Sequence, residues 1–247
     1  MKKLITTTLL ALALGSPINA QSKLSDAERA DFRAEVRAYL MENPEVLMEA
    51  IAVLEDRRAA DALANDLALL ETNGDEIFND PASWVGGNPD GDITVVEFMD
   101  YRCGYCKKAF EEVAELISSD GNIRFVVKEF PILGPQSELA SRFAVSVLQI
   151  EGAETYAKVH DALMVMKGDV TPESLTALAT EVAVKDVDAV LVHMDAPEVT
   201  SVIEGNRALA QRLAVNGTPT FVIDQTLVRG YVPLDSMRQI VDEQRKG

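Results

Sequence analysis

Cysteine is scarce in this chain: two in 247 residues. An exported domain stapled by disulfides uses many more, so this fold must rest on its hydrophobic core, and 47% hydrophobic residues over this length is adequate for that. Positive charge is also short. There are 23 Lys and Arg against 40 Asp and Glu, for a net charge of −17. That balance argues against nucleic acid and anionic membrane surfaces as partners, and its plainest use is solubility. Histidine occurs twice, as His160 and His193, each alone in a helix-like segment. With no third cysteine, a structural zinc site has too few candidate ligands. Beyond the first residues, no apolar run reaches membrane-spanning length without charges. There is no internal repeat and no low-complexity tract.

The first residues read as a secretory leader over 1–20. Lys2-Lys3 form a basic start, Leu4 to Leu14 an uncharged apolar stretch, and Asn19-Ala20 a small-residue cleavage point, with Ile18 a less usual neighbour. The apolar stretch is too short for a transmembrane helix. A leader of this kind looks bacterial and predicts a periplasmic protein. Without Lys2 and Lys3, 21 basic residues face 40 acidic ones, about −19 for the mature chain.

The two cysteines form one motif, Cys103-Gly104-Tyr105-Cys106. It lies between a strand-like run, Ile93 to Phe98, and a helix-like run from Lys107. At a helix start the first sulfur meets unpaired backbone N–H groups and the positive end of the helix dipole, which favour the thiolate that attacks disulfides. Three other uses are open. A structural disulfide would close a tiny loop and constrain the unfolded chain little. Zinc lacks ligands. Cu(I) can be held by two soft thiolates. Redox catalysis is favoured, because Cys-x-x-Cys near a βαβ pattern reads as thioredoxin-like.

Leu24 to about Leu70 has no glycine and reads as two helices, with Phe32, Val36, Tyr39 and Leu40 on the first stripe and Leu47, Ile51, Leu54, Leu63, Leu67 and Leu70 on the second. Asn43-Pro44 separates them, with Asn43 expected to cap the second helix. Such stripes need a partner, and self-association is the favoured reading. Segment 21–74 is thus a helical extension. From 75 to 247 the expected order is β-α-β, a helical block of about five helices near 136–215, then β-β-α. Ile93–Phe98 and Ile123–Phe130 are the parallel strands, and Thr220–Asp224 and Leu227–Gly230 the later pair. This is a thioredoxin-like α/β fold with an inserted helical domain.

The chain resembles the DsbA-like thiol:disulfide oxidoreductases of the bacterial periplasm from about Phe78 onward. The resemblance rests on Gly87-Asn88-Pro89-Asp90-Gly91-Asp92, Val96 to Cys106, Lys128-Glu129-Phe130-Pro131-Ile132-Leu133-Gly134, and Gly217-Thr218-Pro219-Thr220-Phe221. Tyr39-Leu40-Met41-Glu42-Asn43-Pro44-Glu45-Val46-Leu47 is similar to the extension of the ScsC branch, some of whose members oligomerise through it and act as disulfide isomerases. The strong oxidants of the family carry Pro-His between their cysteines. Gly104-Tyr105 is similar to the pair in periplasmic isomerases, and the missing histidine removes a cation that would stabilise the thiolate.

The resemblance implies that Cys103 is the exposed nucleophile and Cys106 the buried resolving thiol. It implies a cis Pro219 whose neighbour Thr218 pairs with an extended client, with Gly104 and Tyr105 as further client contacts. It also implies charged residues, Glu97 and Lys128, beneath the resolving cysteine, as a proton relay or as a plain ion pair. His160 and His193 read as ordinary helix residues, and Trp84 and Tyr101 as packing. No cofactor is called for. The expected partners are unfolded or misoxidised exported proteins and a membrane redox partner that resets the cysteines. An isomerase is favoured over an oxidase. The alternative, copper binding or copper tolerance through the same cysteines, follows from the ScsC resemblance.

Overall fold

The computed structural model describes residues 24–246, so the expected leader lies outside the described residues. The chain divides into two compact units, one ending at Arg58 and the other running from Ala59. The division falls inside a helix rather than near residue 74.

The first unit holds α1 (Asp26–Glu42) and the start of α2 (Glu45–Thr72). Ser25 and Glu28 form a reciprocal capping box at the start of α1. Asn43 closes α1 instead of opening α2. Its N–H and its side-chain amide both donate to the Tyr39 carbonyl, at 2.8 and 2.9 Å. Phe32, Val36, Tyr39, Leu47, Ile51 and Leu54 remain exposed on this unit.

The second unit takes in the rest of α2, because Leu70 is buried in its core and Asp66 holds Arg229 through two 2.8 Å bonds. It continues with α3 (Gly74–Phe78), β1 (Trp84–Gly87), β2 (Ile93–Met99), α4 (Gly104–Asp120) and β3 (Ile123–Glu129). Five helices follow: α5 (Pro135–Glu151), α6 (Ala153–Val165), α7 (Pro172–Glu181), α8 (Val187–His193) and α9 (Pro197–Arg212). β4 (Thr220–Ile223), β5 (Thr226–Arg229) and α10 (Leu234–Lys246) close the chain. The thioredoxin-like sheet has the order β1-β3-β2-β4-β5, with β2 and β3 parallel and the other pairs antiparallel. β1 and α3 were not predicted. Trp-Val-Gly-Gly is too short and too glycine-rich to show an alternating pattern, and Gly87 has a left-handed backbone (φ +66°) where a Cβ would strike the Ile123 carbonyl.

Strand alternation sorts the core into two faces. Ile93, Val95 and Met99 on β2, with Ile123, Phe125 and Val127 on β3, pack with α4, α6 and α10. Val96, Phe98 and Val126 face the other way, toward Leu70, Leu209 and Leu213. By the same alternation Glu97 lies on the α4 face and Lys128 on the opposite one.

Candidate active site

Cys103 is the N-cap of α4, with an extended backbone (φ −74°, ψ 117°), and its sulfur accepts the Cys106 N–H at 3.4 Å. Both cysteines are free thiols. Cys103 is only 7% exposed, which corrects the expectation of an open nucleophile. The cover comes from a distant part of the chain: Thr218-Pro219 is cis, and the Thr218 carbonyl lies 3.1 Å from the Cys103 sulfur, placed to accept the hydrogen of the thiol form. Gly104 is open to solvent, and Tyr105 is 62% exposed beside Tyr231, with ring centroids 6.1 Å apart. The Lys108 ammonium sits 4.1 Å over the Tyr231 ring.

The two thiols are driven apart electrostatically. Cys103 is lowered from 9.0 to about 5. The Cys106 thiol hydrogen bond contributes most; burial opposes it, and the Thr218 side chain and the Cys106 and Tyr105 backbone N–H groups add to the lowering. No histidine is needed between the cysteines for this. Cys106 is pushed far up, first by its hydrogen bond to Cys103, then by burial and the Glu97 charge.

Glu97 is buried, its Oε1 has no hydrogen-bond partner, and burial together with the Cys103 charge raises it from 4.5 to about 8. It is electrostatically tied to both cysteines. Lys128 is not part of this group. It points to the opposite face, where its ammonium donates to the Glu76 carbonyl at 2.6 Å and to Asp80 at 2.8 Å. The reason is register: Glu97 stands opposite Val127, so Lys128, one residue on, faces the other side of the sheet.

Sequence reasoning missed three buried groups around the motif. Asp100 accepts the Arg102 N–H at 2.7 Å and the Ile132 and Leu133 N–H groups at 2.8 and 3.0 Å, fastening the cysteine loop to the turn after β3. Glu129 accepts hydroxyls from Tyr101, Tyr156 and Ser141 at 2.7, 2.6 and 2.7 Å. His160 is buried, contacts the Tyr101 hydroxyl through Nδ1 at 3.1 Å and is pulled to about 4 by desolvation, so it is neutral. Asp100 and Glu129 sit in the segments that carry the family resemblance, where an acid in an apolar run is the available signal. His193 is an ordinary helix residue bound to Gln149 at 2.7 Å. Trp84 stacks on His160 with ring centroids 6.2 Å apart and lies tilted against Tyr156, and Tyr101 is a hydrogen-bonded hub rather than packing alone. Arg102 and Lys107 tie the site to the end of α6, donating to the Gly168 and Met166 carbonyls at 2.6 and 2.7 Å. Among the described residues, no group of three or more His, Cys, Asp or Glu could hold a metal.

Comparison with known proteins agrees with this geometry. Residues 79–243 match the family described as "Thioredoxin", and residues 28–61 match "Copper resistance protein ScsC N-terminal domain". A solved thioredoxin-like oxidoreductase from Silicibacter pomeroyi is 44% identical, with 70% of this chain and 98% of that chain covered and a TM-score of 0.66. A linker-deletion mutant of Proteus mirabilis ScsC is 27% identical, with 92% and 99% covered and a TM-score of 0.67. Disulfide bond formation protein D of Bacillus subtilis is 25% identical over 65% of this chain and 76% of its own length. Other curated relatives are matched in part. The chain spans 52% of the thiol:disulfide interchange protein DsbC of Escherichia coli at 31% identity, and 24% of the Na(+)/H(+) antiporter NhaA 1 of Salinispora arenicola at 28% identity.

Proposed function

This chain belongs to the thioredoxin family, in the DsbA-like, ScsC-type branch of thiol-disulfide oxidoreductases, and from that premise we propose that it shuffles disulfides in exported proteins, as an isomerase rather than a dedicated oxidase. The observation that carries the reading is a free Cys103 sulfur, capping α4 and facing the Thr218 carbonyl across a cis Pro219. An extended client pairs with the Thr218 backbone, and Gly104 and the exposed Tyr105 flank its path.

The Cys103 thiolate attacks one sulfur of a client disulfide. A mixed disulfide forms, and the other client sulfur leaves as thiolate. If a different client thiolate then attacks the client sulfur of the mixed disulfide, Cys103 is returned as thiolate and the client is rearranged with no net electron transfer. If the client stalls, Cys106 gives its proton to Glu97 and attacks the Cys103 sulfur. The client leaves reduced by two electrons, and the enzyme disulfide is reset by a membrane redox partner. Run backward, the same steps would make an oxidase.

Two features favour isomerisation. Gly104-Tyr105 is similar to the pair in periplasmic isomerases. The exposed stripe of the first unit also suits association of several copies, which would present several Cys103 sites to one client. The leader read in the sequence puts this chemistry in the periplasm. Among the described residues, no helix is long and apolar enough to cross a membrane.

The test is reactivation of a scrambled-disulfide protein in a glutathione buffer. Strong reactivation, lost in Cys103→Ser, is the expected result. Oxidation of reduced clients without reactivation would make the chain an oxidase, and thiol exchange that survives Cys103→Ser would overturn the whole reading. Cys106→Ser should accumulate mixed disulfides. Ile51→Glu should shift the sedimenting species to a monomer; a wild-type chain that already sediments as a monomer would refute the association.

A further inference from the structure

Behind the cysteines, a cavity of about 190 Å³ lies between α4, α6 and the sheet. Its walls are the rings of Trp84, Phe110 and Phe125 with the Ile117 side chain, and its polar lining includes Glu97, His160 and Asp161. No lysine or arginine lines it.

The hydrogen-bonding character of that lining is one-sided. Glu97 has a carboxyl oxygen with no partner at all. The Trp84 N–H is already spent on the Ala153 carbonyl at 3.0 Å. With the Tyr101 hydroxyl donating to Glu129 at 2.7 Å, the hydrogen-bond network assigns the His160 proton to Nδ1, 3.1 Å from that hydroxyl, and makes Nε2 the acceptor nitrogen. Asp161, exposed on α6, adds a second carboxyl. The Ser118 hydroxyl is spent on the Glu115 carbonyl. Glu97, raised to about 8 by burial and the Cys103 charge, holds a proton at neutral pH and gives it up when a cation comes to rest beside it; in that ionised form the cavity offers acceptors and aromatic faces and is short of donors and positive charge.

We propose that this cavity is a binding site for a small primary ammonium ion carried on a compact apolar body. A primary ammonium has three N–H donors and no acceptor, and Glu97, His160 Nε2 and Asp161 supply three acceptors. Aromatic walls attract a cation through their ring faces, and the apolar body takes the place of water against Ile117 and Phe125. A bound cation places positive charge beside the carboxyl that is coupled to both cysteines, so occupancy would also reach the redox pair. The proposal does not depend on disulfide exchange, because binding is read directly.

Trp84 is the only tryptophan of the chain, so its fluorescence reports the cavity wall. Cyclohexylamine, cationic at neutral pH, is titrated into the full mature protein against cyclohexanol, its neutral counterpart of similar size, with calorimetry in parallel. The amine is expected to bind at least about tenfold more tightly than the alcohol, and Glu97→Gln to remove about that factor for the amine while leaving the alcohol unchanged. Asp161→Asn, at the exposed mouth where folding is not at stake, should weaken the amine alone. Equal binding of amine and alcohol would make this a plain apolar pocket and overturn the proposal. So would the absence of any Trp84 or calorimetric response to the amine, or amine binding indifferent to both substitutions.

Discussion

The depressed Cys103 pKa makes a quantitative prediction about rate and pH. At pH 7, a thiol of pKa about 5 is about 99% thiolate, whereas one at the ordinary 9.0 would be about 1%, a gain of about 100-fold in attacking species. A more acidic thiolate is also a weaker nucleophile. With a Brønsted slope of about 0.4–0.5, four units cost about 40- to 100-fold per thiolate. The two effects nearly cancel, so Cys103 should attack a model disulfide at pH 7 no more than a few-fold faster than an ordinary thiol. Its advantage lies in leaving. The same ionisation stabilises the reduced enzyme by about 100-fold, or about 60 mV for a two-electron couple, and makes the mixed disulfide easy to discharge. The assay is alkylation of the reduced protein by iodoacetamide across pH, with thiolate ultraviolet absorbance alongside. The rate should be flat from about pH 6 to 8 and fall tenfold per unit below about 5. Thr218→Val removes one of the stabilising donors and should move the break upward. A rate that climbs tenfold per unit through pH 7–8 would refute the reasoning.

Two further predictions concern groups around the pair. Glu97 has a folded pKa raised above its unfolded one, so its contribution to stability is intact below about 4.5 and is lost as pH rises toward about 8. At pH 7 the loss is about 3 kcal/mol. Denaturant unfolding should show Glu97→Gln gaining on wild type by about that amount between pH 4.5 and 7; a pH-independent difference would be evidence against a protonated Glu97. Asp100→Ala leaves the Arg102, Ile132 and Leu133 N–H groups without their shared acceptor, and should lower stability by about 3 kcal/mol or more, with faster hydrogen exchange confined to those amides; an unchanged unfolding midpoint would mean that solvent replaces the carboxylate.

The legible parts of this molecule were written in local signals. The cysteine pair sits at a strand-to-helix junction, Thr171-Pro172 opens α7, and the five helices between β3 and β4 are separated by glycine, proline and polar turns. Thr218-Pro219 was legible only through its company of motifs. What stayed hidden depends on pairing across long sequence distances. Cys103 is covered by a residue 115 positions away, and neither its own neighbours nor its helix start encodes that. Lys128 was misplaced because a β-strand fixes side-chain parity while only the register, Glu97 against Val127, fixes which face a second strand presents. Glu129 and His160 read as an acid and a helix residue until α5, α6 and the Tyr101 hydroxyl were brought around them.

The charges at this site depend on one another, and that dependence orders the chemistry. In the reduced enzyme, the Cys103 charge helps hold Glu97 up near 8, and Cys103 is also the first cause of the high Cys106 pKa. Glu97 is then mostly protonated at pH 7 and a poor base, and Cys106 keeps its proton. Formation of a mixed disulfide consumes the Cys103 thiolate. Both restraints weaken at that moment: Glu97 keeps the rise that burial gives it but loses the part due to the Cys103 charge, and Cys106 becomes easier to deprotonate. On the proposed mechanism, the first attack would make Glu97 a better acceptor for the Cys106 proton and leave time for client rearrangement before release. Cys103→Ser mimics the loss of charge at almost constant shape. Carboxyl infrared absorption, assigned with Glu97→Gln, should place Glu97 below its wild-type value of about 8 in Cys103→Ser, and should return it upward when the charge is present in reduced wild type. An unchanged Glu97 titration would mean that burial alone sets its pKa, and that release by Cys106 is timed by something other than the Cys103 charge.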